Sequence, residues 1–433
     1  MNLAALLLIL LLSAAVLIGR PERAITRSLI GTILITTAVP LYAAPPWLIG
    51  VAMIACVCWM GMAMLLDPDG TGAAPASIGV VLLIGCDVVS RVRGAGPELA
   101  LYNVALGAVL LMASVAASSV SARWGTTPIL KAFALMLPVH LAISIAEQTG
   151  AVSTVWPRAT WIDEIANRPQ TILTFLEGRS MSTLGHPILL AVAAGIGVIS
   201  AILLAHRTRK RSYYLLAAIG LAALALSGTR SILASLAIVG LYALVRKANF
   251  LIRALILGLA FVMWIYADGL DILQGATSKE VLESTSFTHR ASVLEGVGPY
   301  LAQSSPGSIL WGTGANGYVR LFTSGVFGGG DGLVFFDNQL VRTFVVGGIL
   351  GTIALVAAVL ISFLAGSTES RALILFMLPL FFSFDVLTWQ SSFLYLVVAL
   401  SIVPSVRAAR SDALGVRGRT AGAATTRREF RAV

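Results

Sequence analysis

Arg230 stands in a short turn, Ser227-Gly228-Thr229-Arg230-Ser231, between two apolar runs at 213–228 and 230–245. As helices, runs of that length reach roughly 24 Å at 1.5 Å per residue, short of a hydrocarbon core of about 30 Å. The turn is therefore expected to stop below external water. An arginine held there should face a polar cavity and find an anion; an arginine that snorkels to the interface is the plain alternative. Phe336-Asp337-Asn338-Gln339 opens another apolar run, with Arg342 one turn further on. Asp337 suits a helix N-cap, and at the mouth of an external cavity its carboxylate could also act as a base. His289 and Arg290 lie side by side in an acidic stretch, where an isolated arginine is usually solvated. His186 precedes Pro187, a plain helix-start signal.

The elements that must hold these residues follow from composition. The chain has 433 residues, 58% hydrophobic and only 12% charged, with a mean hydropathy of +0.90. Soluble domains carry about 25% charged residues, so this excludes a soluble enzyme, a disulfide scaffold and a disordered chain. The reading is all-α: a polytopic membrane bundle of about 12–13 transmembrane helices, with one large external loop carrying short helices. Candidate spans are 3–19, 28–43, 46–66, 74–90, 99–121, 128–146, 184–205, 213–228, 230–245, 251–267, 336–363, 372–386 and 390–405. Residues 3–19 have no preceding positive charge and are followed by Arg20, Arg23 and Arg27, the reverse of a secretory signal. They are expected to stay as a first span with its N-terminus outside.

Net charge is +10, but it falls in short loops and a tail, the pattern of membrane topology and not of nucleic-acid binding. Arg207, Arg209, Lys210 and Arg211 mark a cytoplasmic loop, as do Arg246, Lys247 and Arg253. The organisation is then 1–146 N-terminal helices, 147–183 external segment, 184–267 core helices, 268–335 large acidic external loop, 336–405 C-terminal helices and 406–433 basic tail. The tail is expected to be disordered, cytoplasmic and set against anionic membrane lipids. Aromatic residues such as Tyr300, Trp311 and Tyr318 argue that the large loop is ordered, while the glycines at 328–332 look mobile. Arg91 and Arg93 break the pattern, since they fall on the external side. Cys56, Cys58 and Cys86 lie in apolar runs and lack the spacing of a metal or redox pair; no metal or other cofactor is expected.

Taken together, the order and spacing of these motifs resemble the O-antigen ligase and O-antigen polymerase superfamily of membrane glycosyltransferases. The resemblance covers residues 180–365. It rests on Thr229-Arg230-Ser231 between two spans, on Arg290-Ala291-Ser292-Val293-Leu294 in the large loop, and on Gly312-Thr313-Gly314-Ala315-Asn316-Gly317. It extends to Asp337-Asn338 followed nine residues later by Gly348-Ile349-Leu350-Gly351, and to Gly185-His186-Pro187. Asp337 stands where the ligases carry a histidine proposed as the catalytic base.

The resemblance implies a donor glycan on polyprenyl pyrophosphate, transferred to a glycan or lipid acceptor at the outer face of a bacterial inner membrane; the basic loops and tail put the C-terminus on the cytoplasmic side. Arginine forks bind phosphate oxygens bidentately, so Arg230 and Arg290 would clamp the pyrophosphate and stabilise the leaving group. Asp337 would take the acceptor proton, with His289 or His186 as fallback. Arg179, His186, His289, Asn338 and Arg342 are the expected substrate contacts. The exchange of histidine for Asp337 and the two long external segments lean towards a polymerase. A transporter of lipid-linked saccharides is the competing class; it would use Asp87, Arg91 and Asp385, which otherwise read as internal pairs. A non-catalytic scaffold is a third.

Overall fold

The computed structural model describes residues 2–18, 20–40, 44–67, 76–153, 155–156, 167, 172–173, 175–247, 285–314, 316–327 and 335–405. The expected span 251–267, the glycines at 328–332 and the basic tail lie outside the described residues.

Among the described residues the fold is helical throughout. The helices are α1 (Asn2–Leu17), α2 (Ala24–Ala38), α3 (Pro46–Leu66), α4 (Ala76–Val92), α5 (Pro97–Trp124), α6 (Thr127–Leu135) and α7 (Leu137–Gln148). There follow α8 (Pro187–Thr208), α9 (Ser212–Ser227), α10 (Ser231–Lys247), and the loop helices α11 (Thr285–Glu295), α12 (Val297–Gln303), α13 (Pro306–Trp311) and α14 (Gly317–Thr323). The chain closes with α15 (Gln339–Ala365), α16 (Thr368–Met377) and α17 (Gln390–Ser401). Among the described residues five stretches are long and apolar enough to cross a membrane: α3, α5, α6 with α7 taken together, α8 and α15. The α6–α7 junction falls at Met136, one residue ahead of the Leu137-Pro138 start of α7; Pro138 cannot supply the N–H that a continuous helix needs.

The surface is what a bilayer requires. Leu10, Leu11, Ile54, Leu65, Leu101 and Leu364 are exposed, while Ser114, Ser118, Ser200 and Ser362 are buried. With lipid outside there is no hydrophobic drive between helices, so close packing and interhelical hydrogen bonds hold the bundle. Ser114 Oγ to Ser401 Oγ at 2.7 Å ties α5 to α17. Thr37 Oγ1 and Tyr395 Oη at 2.5 Å tie α2 to α17. The α8 helix is the hub: its most apolar window is 83% buried, against about half or less in the other long helices.

The two ends of the bundle differ. At one end Arg207 Nη1 donates to Thr126 Oγ1 at 2.7 Å and stands 3.6 Å from Glu369. There Arg123 pairs with Asp67 at 2.6 Å, and the Arg23 guanidinium lies 5.9 Å from the Trp124 ring centre. This basic end carries Arg209, Lys210 and Arg211 and the close of α17. The opposite end carries the starts of α8, α10, α15 and α17, the closes of α4, α7 and α9, and the loop helices.

The loop helices have their own small aromatic core, built from Val293, Tyr300, Phe322, Val326, Phe327 and Phe336 and seated on Val341 and Val345 of α15. Their seam to α15 is made by backbone. Gly348 has φ 68° and ψ −165°, which breaks the helix locally. The released carbonyls of Val345 and Val346 are taken by Thr313 N at 2.8 Å and Gly314 N at 3.1 Å. Gly312, with φ 76°, lies so close that a Cβ there would sit 2.1 Å from the Val346 oxygen. A Cβ on Gly348 would sit 2.3 Å from the Leu310 oxygen. Both positions therefore need glycine for conformation and for space. Gly348→Ala is expected to cost about 1–3 kcal/mol in backbone strain alone, read as a lower melting temperature in detergent and faster proteolysis between α13 and α14.

Candidate active site

Four chain segments that carry the sequence-derived residues meet at the end opposite the basic one. The first runs from Arg179 to Pro187. Glu147, at the close of α7, accepts from Met181 N at 2.9 Å and Ser182 N at 3.0 Å. Thr183 Oγ1 donates to the Thr37 carbonyl at 3.0 Å, and Trp156 Nε1 donates to the Thr183 carbonyl at 3.0 Å. Held this way, the segment presents His186 as the N-cap of α8, its Nδ1 accepting from Ile188 N at 3.2 Å. A nitrogen that accepts carries no proton, so the capping imidazole is neutral. The Arg179 guanidinium is within electrostatic reach of this ring.

The second segment is the α9–α10 turn. Ser180 N donates to the Leu226 carbonyl at 3.0 Å, which lays the Arg179 segment directly against the turn that carries Arg230. Gly228 closes α9 with φ 66° and ψ 23°, the left-handed residue that commonly ends a helix. Arg230 is solvent-accessible at the start of α10.

The third segment opens α15. The N-cap here is Asn338, not Asp337 as the sequence reading expected. Asn338 Oδ1 accepts from Leu340 N at 3.0 Å and Val341 N at 3.1 Å. The correction has a plain cause: the extended backbone that a cap requires, φ −150° and ψ 113°, falls at residue 338. The side-chain oxygen of Asn338 is engaged by the backbone, and Asp337 is half-buried one residue before the cap. His289 is buried on α11, and its Nε2 donates to the Phe335 carbonyl at 2.8 Å, with the Phe335 ring centre 5.2 Å away. That bond brings α11, and with it the backbone of Arg290, beside the Asp337 segment; the Arg290 side chain lies outside what is described.

The fourth segment is the turn 383–389 before α17. Its Trp389 ring packs 5.0 Å from His186, joining it to the first segment. Leu387 N donates to Gln339 Oε1 at 2.7 Å, joining it to the third. Arg342 is buried, with Nε 3.5 Å from Asp385 and Nη1 3.9 Å from Asp87. Arg91 Nε stands 2.5 Å from Asp87, and Arg91 Nη2 donates to the Leu387 carbonyl at 2.5 Å. The expected internal pairing of Asp87, Arg91 and Asp385 is thus what the structure has, and Arg342 belongs to the same set. Removing one member of such a buried set leaves an uncompensated charge, at about 3–5 kcal/mol. Arg342→Met is accordingly expected to lower the detergent melting temperature sharply, while the exposed Arg320→Met leaves it unchanged.

The same contacts give partners to the two arginines that break the expected charge pattern. Arg91 is neutralised by Asp87, and Arg93 Nη1 donates to the Gly312 carbonyl at 3.0 Å.

Sequence reasoning gave no role to Gln339, Tyr318 or Trp389. Tyr318 stands within reach of Arg342, Asp385 and Arg91, and burial pushes its phenol above the ordinary value; it stays a hydrogen-bond donor at neutral pH. A glutamine opening an apolar run was the one available signal for Gln339. Among the described residues no group of histidine, cysteine and acidic side chains is arranged to hold a metal ion. A scan against protein-family models finds no match, and a search of curated proteins returns none either.

Proposed function

We propose that this membrane protein transfers a glycan from a polyprenyl-pyrophosphate donor to an acceptor hydroxyl, at the outer face of a bacterial cytoplasmic membrane. The reading places the C-terminus in the cytoplasm, beside the basic end. Its main support is the convergence of the Arg179–His186 segment, the Arg230 turn, the Asp337–Arg342 helix start and the His289–Arg290 helix at the end away from the basic loops. The resemblance to the O-antigen ligase and polymerase superfamily points to the same residues.

In this reading Arg230 and Arg290 grip the pyrophosphate. The acceptor oxygen attacks the anomeric carbon and its proton passes to the Asp337 carboxylate. The bond from sugar to pyrophosphate breaks, and its electron pair leaves on the phosphate oxygen, where the arginines offset the growing charge. A single displacement inverts the sugar carbon. Arg179 and a neutral His186 flank the donor headgroup. His289 and Asn338 act through backbone contacts that set the Asp337 segment.

The acceptor decides between polymerase and ligase. Purified protein incubated with defined lipid-linked oligosaccharides tests the reading: release of free polyprenyl pyrophosphate with growth or relocation of the glycan is the expected result. A transporter would move the donor and release nothing. The charges a transporter would use, Asp87, Arg91 and Asp385, are engaged with one another and with Arg342 at one end of the bundle.

A further inference from the structure

We propose that Asp87, Arg91, Arg342 and Asp385 form a positioning lattice for the carboxylate at the mouth of α15; this rests on the transfer reading above and adds residues to it. None of the four is placed against the donor. They join three elements: α4 through Asp87 and Arg91, the first turn of α15 through Arg342, and the turn 383–389 through Asp385.

Backbone is the object being held. The Leu387 carbonyl accepts from Arg91 of α4 at 2.5 Å, while the Leu387 N–H donates to Gln339 of α15 at 2.7 Å. One peptide residue is thus gripped from both sides. Gln339 is fixed in turn, its Nε2 donating to Thr343 Oγ1 at 2.7 Å. Asp385 Oδ2 receives Thr388 Oγ1 at 2.8 Å and faces Arg342 Nε at 3.5 Å. Two residues beyond Leu387 stands Trp389, against His186. Two residues before Gln339 stands Asp337, within electrostatic reach of Asp385. A shift of the lattice therefore moves the start of α15 and with it the candidate base, while His186 stays held by its own cap bond to Ile188.

Stability does not account for the arrangement. A buried ion-pair set is often no more stabilising than well-packed apolar residues of the same volume. What charged groups add is direction: guanidinium forks fix the angle of what they hold, as apolar contacts do not. Asp87, Arg91, Arg342 and Asp385 balance in formal charge, and Tyr318, Tyr102, Cys86 and Asp337 are titratable groups within electrostatic reach of them.

The test uses the full chain in lipid nanodiscs, with Asp87→Asn, Asp385→Asn and the milder Thr388→Val, which removes only one hydroxyl from Asp385. Hydrogen exchange is read first, without donor. Amide protection at 340, 341 and 387 is expected to fall by about tenfold or more while that of α8 stays unchanged. With a polyprenyl-pyrophosphate glycan as donor, kcat is expected to fall about 10–100-fold at a KM within about twofold of the parent. Asp87→Glu, which keeps the charge, recovers part of it. In an Asp337→Asn background the same substitutions should cost nothing further, because they act through that carboxylate. Unchanged exchange at 387, or losses that multiply with Asp337→Asn, would overturn the proposal. Exchange needs no substrate, so a parent protein that transfers nothing would sink the transfer reading separately.

Discussion

Alanine at both Arg230 and Arg290 is expected to reduce glycan transfer by at least about 10³-fold, with the protein still inserted and folded. Each arginine is proposed to meet charge that grows as the pyrophosphate leaves, and removing one such group typically costs about 10²–10³ in rate. Folding should be spared, because Arg230 is accessible at a helix start and is not part of the buried charge set. The measurement is release of polyprenyl pyrophosphate by purified protein, beside the detergent melting temperature. Lysine at either site should restore binding of the headgroup better than it restores rate, since a point charge lacks the guanidinium fork. A double variant that consumed donor at the parent rate would remove the clamp from the mechanism.

Asp337→Asn is expected to slow the chemical step by about 10²–10⁴-fold with donor binding retained. The substitution keeps size and polarity and removes the negative charge and with it the ability to take a proton. It also spares the helix start, because Asn338 and not Asp337 caps α15. That separation makes the experiment clean: had Asp337 been the cap, loss of rate and loss of structure would be confounded. Asn338→Ala supplies the contrast, with about 1 kcal/mol lost from the cap and rate affected only as far as the helix start frays. A parent-like kcat in Asp337→Asn would move the base elsewhere, with His186 next to be tried.

The helical architecture was legible because it rests on local properties. Apolar run length, proline at first turns and basic loops are all near-neighbour signals: the helix expected from 46 begins at Pro46, and those expected from 99 and 184 begin at Pro97 and Pro187. The pair Asp87–Arg91 was readable for the same reason, being four residues apart on one helix face. Arg342 with Asp385 was not, since nothing local says that the first turn of α15 faces the turn before α17. The cap was misplaced by one residue because Asp and Asn cap about equally well, so only backbone geometry decides between neighbours. The break at Gly348 was invisible for a different reason. Glycine is common in membrane helices, and this one becomes a kink through the carbonyls that Thr313 and Gly314 claim from outside the helix.

Arg91 and Arg93 also bear on how the chain is built. Their backbone acceptors, Leu387 and Gly312, lie 296 and 219 residues further along. A ribosome delivers the two arginines long before it delivers those acceptors. Through that interval Asp87 and Glu98 are the acidic residues of the α4–α5 hairpin that stand near them in the chain. The contacts that lock the two arginines therefore close late, when the last third of the chain arrives to supply their acceptors.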